Sequence, residues 1–186
     1  YGFTGKIYPV NPKGGVIEGL QAYPSVCDIP GDVDLAIIVV KNVFVLPTID
    51  QCHEKGIKGL CIISAGFKEA GAEGAELEKQ LLEKVRAYGM RCVGPNCLGV
   101  VNTDPAVKMD GCFAESLPQR GDIGFVSQSG ALGGGILNIL KDLNIGFSQF
   151  ISIGNQADVN AETAIEYWEN VDDVRQILLY IESIQN

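Results

Sequence analysis

Short apolar runs alternate with longer stretches of helical period along nearly the whole chain, and this alternation constrains the fold more than any other feature. Residues 35–40 (LAIIVV), 59–63 (GLCII), 122–126, 147–153 and 176–181 (QILLYI) read as strands. The continuous runs LAIIVV and QILLYI are expected to be buried on both faces, as in parallel sheets covered by helices. Between the strands, 44–55, 75–88, 129–143 and 161–168 place apolar residues at helical spacing. The stripe is Leu77, Leu81, Val85 and Tyr88 in one of these, and Leu132, Ile136, Ile139, Leu140 and Leu143 in another. Residues 6–10 (KIYPV) and 91–93 add short strands, with Pro9 pushing the first toward an edge. Residues 102–117 have no period and contain Pro105, so they read as a crossing loop. Repeated βα units require parallel sheets with right-handed crossovers. The fold class is therefore α/β, with two doubly wound parallel-sheet domains, 1–117 and 118–186, meeting at Leu117-Pro118.

Composition removes several functions. The 186 residues carry a formal charge of −9 with no basic run, so a footprint for nucleic acid or an anionic membrane is missing. No apolar stretch approaches the ~20 residues of a membrane span, and no signal peptide precedes the first strand. The six cysteines contain no C-x-x-C pair and there is one histidine, His53, so zinc spacing is absent and no metal ligands are expected. Reduced thiols, several of them buried in strands, suit a cytoplasmic protein. The 23 glycines are well above average usage and point to tight turns and close ligand approach.

Ligands of open parallel sheets bind beyond the carboxyl ends of the strands, so each strand end is a candidate site. Asn11-Pro12-Lys13-Gly14-Gly15 can offer an ammonium and free N–H groups to a phosphate, although alone it reads more simply as a solvated turn. Ile63-Ser64-Ala65 is small enough for close approach, and equally an ordinary βα turn. Gly94-Pro95-Asn96-Cys97-Leu98-Gly99 is either a structural turn or a site carrying Asn96 and Cys97. Ser127-Gln128-Ser129-Gly130, followed by Gly133, Gly134 and Gly135, leaves a strand and opens a helix. Hydroxyls, free N–H groups and the positive helix end converge there, which favours a phosphate or carboxylate site. The spacing is not G-x-S-x-G, and His53 would have to serve as base, so the run does not favour a serine hydrolase. Gly154-Asn155-Gln156-Ala157-Asp158 forms another small polar loop. Glu182 ends QILLYI as either a catalytic carboxylate or a cap.

The ordered set KIYPVNPKGG, LAIIVV, IISAGFKE, RCVGPNCLGVVN, GDIGFVSQSGALGGGI, ISIGNQADVN and ILLYIES resembles the α-type half of ADP-forming acyl-CoA synthetases, the acetate–CoA ligases, and more distantly the succinyl-CoA synthetase α subunit. The resemblance covers essentially the whole chain. It implies a CoA-binding Rossmann-like domain followed by a flavodoxin-like domain. It also implies interconversion of acyl-CoA, ADP and phosphate with carboxylate, CoA and ATP, through an acyl phosphate and a phosphohistidine. By motif, Asn11, Pro12 and Lys13 would meet CoA phosphates, and Ile63, Ser64 and Ala65 would line the CoA arm. Asn96 and Cys97 would face the thioester, with Gly134 near the acyl group. Ser127, Ser129 and Gly130 would bind the phosphoryl group, and Glu182 would orient the phosphohistidine.

Against that pattern the sequence enters after a first strand and glycine loop and stops before the phosphohistidine, so the chain is expected to be truncated at both ends. ADP/ATP with Mg would be bound by an ATP-grasp domain or β subunit, within an oligomer. Lys41-Asn42 stands where many relatives have Pro-Ala. The alternatives are an acyl-CoA-sensing, ligase-like region of a protein lysine acetyltransferase, and a non-catalytic CoA-binding regulatory protein.

Overall fold

The apolar runs assemble into two parallel ladders joined through the loops at their carboxyl ends. The computed structural model describes residues 2–115 and 119–183, and the expected break at Leu117-Pro118 lies outside them. The first unit opens with a small antiparallel hairpin, β1 (Val16–Ile17) and β2 (Leu20–Gln21). The strand expected at 6–10 does not form: Val10 makes one isolated bridge to Tyr23. Pro9 has no N–H and contributes only its carbonyl, which accepts from Tyr23 N–H at 2.9 Å.

Next come β3 (Leu35–Ile38), α1 (Val45–Glu54), β4 (Gly59–Ile62), α2 (Ala72–Ala87) and β5 (Arg91–Val93), with the strands parallel in the order β3-β4-β5. Pro47 falls in the first turn of α1, where its missing N–H breaks no helical bond. Leu81 and Val85 of α2 are buried with Ile49 and Cys52 of α1 against Leu60, Ile62 and Cys92.

The second sheet contains β6 (Gly99–Asn102), β7 (Met109–Cys112), β8 (Arg120–Ser127), β9 (Phe147–Ser152) and β10 (Gln176–Tyr180) in the order β10-β8-β9-β6-β7. Helices α3 (Gly130–Asp142) and α4 (Ala161–Trp168) connect its parallel strands β8, β9 and β10. Strands β6 and β7 are antiparallel, and β6 pairs antiparallel with β9. The segment read as a crossing loop thus supplies a strand, and the second sheet is mixed rather than wholly parallel. Trp168 of α4 lies flat on β8: a Cβ at Gly124 would meet its ring at 2.9 Å. The indole N–H donates to Gln149 Oε1 at 2.9 Å.

Burial departs from expectation in two places. Among the described residues LAIIVV and QILLYI lie at sheet edges, and Ile37, Val39, Ile177 and Leu179 are exposed. On α3 Gly133 and Leu137 are buried and the expected Ile136 and Leu140 pack against the same core, while Leu132, Ile139 and Leu143 face out. Gly133 causes this, because it lets the helix descend until a Cβ there would sit 3.0 Å from Ser127 Cβ and 3.1 Å from Phe150 Cζ.

Candidate functional site

Carboxyl ends of strands from both sheets meet along one seam. Asn96 N–H donates to Ser64 O at 2.9 Å, joining the end of β5 to that of β4. Asn155 N–H donates to Pro95 O at 2.9 Å, Ala157 N–H to Gly94 O at 3.1 Å, and Val159 N–H to Cys92 O at 3.1 Å, so the loop after β9 runs alongside the loop after β5. Gly154, at φ +51°, is required by this approach: a Cβ would fall 2.3 Å from Pro95 O and 2.4 Å from Asn96 O. Asp158 completes the seam by accepting from Cys92 N–H at 3.0 Å and Arg91 Nε at 2.8 Å.

The same loop reaches α3. Leu98 N–H donates to Ser152 Oγ at 2.9 Å. The Leu98 side chain lies over the first turn of the helix, 3.4 Å from a Cβ built at Gly130 and 3.5 Å from one at Gly134. Ser129 caps α3, accepting from Leu132 N–H at 3.3 Å. Ser127 is fully buried and donates to Ser129 O at 2.7 Å, which shapes the turn from strand to helix. The helix therefore presents its free N–H groups and dipole beside the 94–99 loop. Glu182 is tied to this turn indirectly: its N–H donates to Gln128 Oε1 at 2.9 Å.

The other expected residues are placed as follows. Ser64 is buried, donating to Val40 O at 2.6 Å and accepting from Val40 N–H at 3.1 Å, and so fastens β4 to the end of β3. Ile63 lines an apolar cleft of about 460 Å³ with Ile37, Val39, Cys112 and Phe113, and Ala65 is exposed nearby in sequence. Asn11 Oδ1 accepts from Lys13 N–H at 3.0 Å, a tight turn that leaves Pro12 and Lys13 exposed. These three form no hydrogen bond with the seam. Cys97 is buried and points inward, donating to Ile62 O at 3.3 Å with its sulfur 3.8 Å from that of Cys61. That contact and then burial push the Cys61 thiol up, and the same contact lowers Cys97. Burial raises Cys92 to about 12 and Cys52 to about 11. All six cysteines are free.

Residues 3–103 match the CoA binding domain family, and residues 120–186 match the Succinyl-CoA ligase like flavodoxin domain. The chain belongs to the CoA-binding domain family. It is 47% identical over 182 residues to the acetate–CoA ligase [ADP-forming] II subunit alpha of Pyrococcus furiosus, covering 98% of this chain and 39% of that one. It is 44% identical over 184 residues to the acetate–CoA ligase [ADP-forming] of Methanocaldococcus jannaschii, covering 99% and 26%. The solved acetyl-coenzyme A synthetase 1 of Ca. Korarchaeum cryptofilum, in complex with phosphate and ADP, superposes with a TM-score of 0.93 at 37% identity, covering 99% of this chain and 39% of that one. The chain thus spans about two fifths or less of the length of these relatives.

Within this CoA-binding domain family member, sequence reading passed over Glu69, Glu78, Leu98, Gln128 and Asn155 as site residues. Asn155 had a signal, since its loop stood out as small and polar. Glu69 closes the IISAGFKE motif, which marked its loop but not its role, whereas Glu78 had no signal, because a carboxylate in a charged helical stretch looks like a solvated face until a partner from the other sheet arrives. Among the described residues, no three His, Cys, Asp or Glu side chains converge as a metal set.

Proposed function

We propose that this chain is the CoA- and phosphate-binding portion of an ADP-forming acyl-CoA synthetase acting on acetyl-CoA. The observation that carries this reading is the meeting of the 94–99 loop with the N-terminus of α3 through Leu98, Gly130 and Gly134. It sets a dipole-favoured anion site beside the thioester end of a long ligand. Lys13, with Asn11 and Pro12, holds CoA phosphates, and the apolar cleft at Ile63 receives the arm running past Ser64 and Ala65. Asn96 stands at the thioester, with Cys97 buried behind it in the same loop. Ser129 and Gly130, with Ser127 shaping the turn, hold phosphate while one of its oxygens attacks the thioester carbonyl near Gly134. The carbon–sulfur bond breaks, the thiolate leaves as CoA, and acyl phosphate remains. Glu182 orients the histidine that next takes the phosphoryl group. That histidine and the ADP/ATP–Mg site belong to other parts, an ATP-grasp domain or β subunit, in a cytoplasmic oligomer. No described helix is long and apolar enough to cross a membrane. We divide the chain functionally at 117/118, the CoA-binding unit before and the flavodoxin-like unit after.

Titration calorimetry of the chain with CoA tests the reading. Lys13→Ala is expected to weaken CoA binding at least ~10-fold, the value of one charge-assisted phosphate contact. Tight binding indifferent to Lys13 would remove the CoA assignment. With acetyl-CoA, ADP and phosphate, the chain alone is expected to make no ATP.

A further inference from the structure

The side-chain amide of Asn155, 6% exposed, has its polarity dictated by its neighbours. Its Nδ2 lies 2.6 Å from Glu69 Oε2 and 2.7 Å from Glu78 Oε2. Ionised carboxylates only accept, so an amide oxygen in that position would face two acceptors with no hydrogen between them. The nitrogen must point there, and the Asn155 oxygen must point away. Lys68 supports the cluster, with Nζ 3.3 Å from Glu78 Oε1 and a hydrogen bond to Asn155 O. Glu69 accepts in addition from the Gly66 and Phe67 N–H groups at 2.5 and 3.1 Å. Two carboxylates beside one buried amide are thereby compensated.

The consequence passes one residue further. Asn155 Oδ1 lies 3.2 Å from the Asn96 amide, and an acceptor there requires a donor. Asn96 therefore turns its Nδ2 inward and its Oδ1 outward. Asn96 itself is exposed at φ +57°, and among the described residues nothing donates to that oxygen.

We propose that Asn155, clamped between Glu69 and Glu78, is a positioning residue that makes Asn96 present a hydrogen-bond acceptor to the ligand. The ligand group Asn96 takes is then a donor, an amide N–H of the pantetheine arm or the thiol S–H, and not the thioester carbonyl. This rests on the CoA reading above.

The test titrates two probes into the chain: CoA, and 3′-phosphoadenosine 5′-diphosphate, which lacks the arm. Asn155→Leu is expected to lower CoA affinity about tenfold, one oriented hydrogen bond, and to leave the nucleotide probe unchanged. A purely structural role would weaken both probes together. Asn96→Gly, which accepts a positive φ without strain, is expected to show the same split while leaving the Asn155 contacts to Glu69 and Glu78 in place. Desulfo-CoA separates the donors: it shows the Asn155→Leu loss if the amide N–H is the partner, and no loss if the thiol is. Equal losses for both probes, or an Asn155→Leu variant that binds CoA like wild type, would overturn the proposal. A wild-type chain that binds neither probe would overturn the CoA reading, and this one with it.

Discussion

Glu69 is the residue through which pH acts on the seam. Burial alone would raise its pKa, but hydrogen bonds from Asn155 and from the Gly66 and Phe67 N–H groups outweigh that and hold it below the ordinary 4.5. A carboxyl lowered by folding contributes stability that is complete above its unfolded value and is lost as pH falls through the folded one. Asp50 acts in the same direction, lowered from 3.8 first by Lys84 and then by Tyr88. The thermal midpoint of the wild type is expected to fall between about pH 5 and pH 3, and that of Glu69→Gln to fall less. Parallel curves for the two proteins would remove Glu69 from the account. At this scale the sequence located loops better than side chains. The strand-end rule found 94–99, 127–130 and 154–158, all of which meet at the seam. It could not tell that Cys97 turns inward, because in a loop that direction is chosen by contacts from distant elements, here Ile62, nor that Ser127, closing β8, is buried and bonded to the nearby Ser129 O.

Among the elements, α3 separates two reasons for a glycine. Gly133 sits where a Cβ would press on Ser127 and Phe150, whereas one at Gly135 would meet nothing within 4 Å. Gly133→Ala is expected to destabilise by ~1–3 kcal/mol through overpacking, despite the better helix former. Gly135→Ala is expected to stabilise by up to ~1 kcal/mol through propensity alone. Urea unfolding of both variants reads the two signs, and a stabilised Gly133→Ala would mean that the helix does not press on β8. The helices themselves were legible: 161–168 was read to the residue, and the α2 stripe is the one that packs. Strand β7 was not, since Met109-Asp110-Gly111-Cys112 has neither β-branching nor alternation. What makes it a strand is the pairing with β6, a contact invisible in its own composition. The apolar runs LAIIVV and QILLYI correctly announced strands, but an apolar run does not say what covers it. Both lie at sheet edges among the described residues.

Across the whole molecule, stability depends on how firmly the two sheets are fastened. Asp158, with a side chain 8% exposed, satisfies Cys92 N–H and pairs with Arg91 from the other unit. Asp158→Ala leaves that N–H without its partner and is expected to cost about 1–3 kcal/mol. Trp168 is the single tryptophan and lies on the second sheet, so its fluorescence reports that unit, while far-UV circular dichroism reports both. The two signals are expected to unfold together in the wild type and to separate in Asp158→Ala. An unchanged midpoint with coincident signals would show that Asp158 does not fasten the units. Much of the remaining seam runs between main-chain atoms, Asn96 to Ser64, Asn155 to Pro95, Ala157 to Gly94 and Val159 to Cys92. Every residue except proline carries those donors and acceptors. Mutational drift can therefore rewrite the side chains that line the seam while the pose of one half on the other stays put, over a platform of constant span.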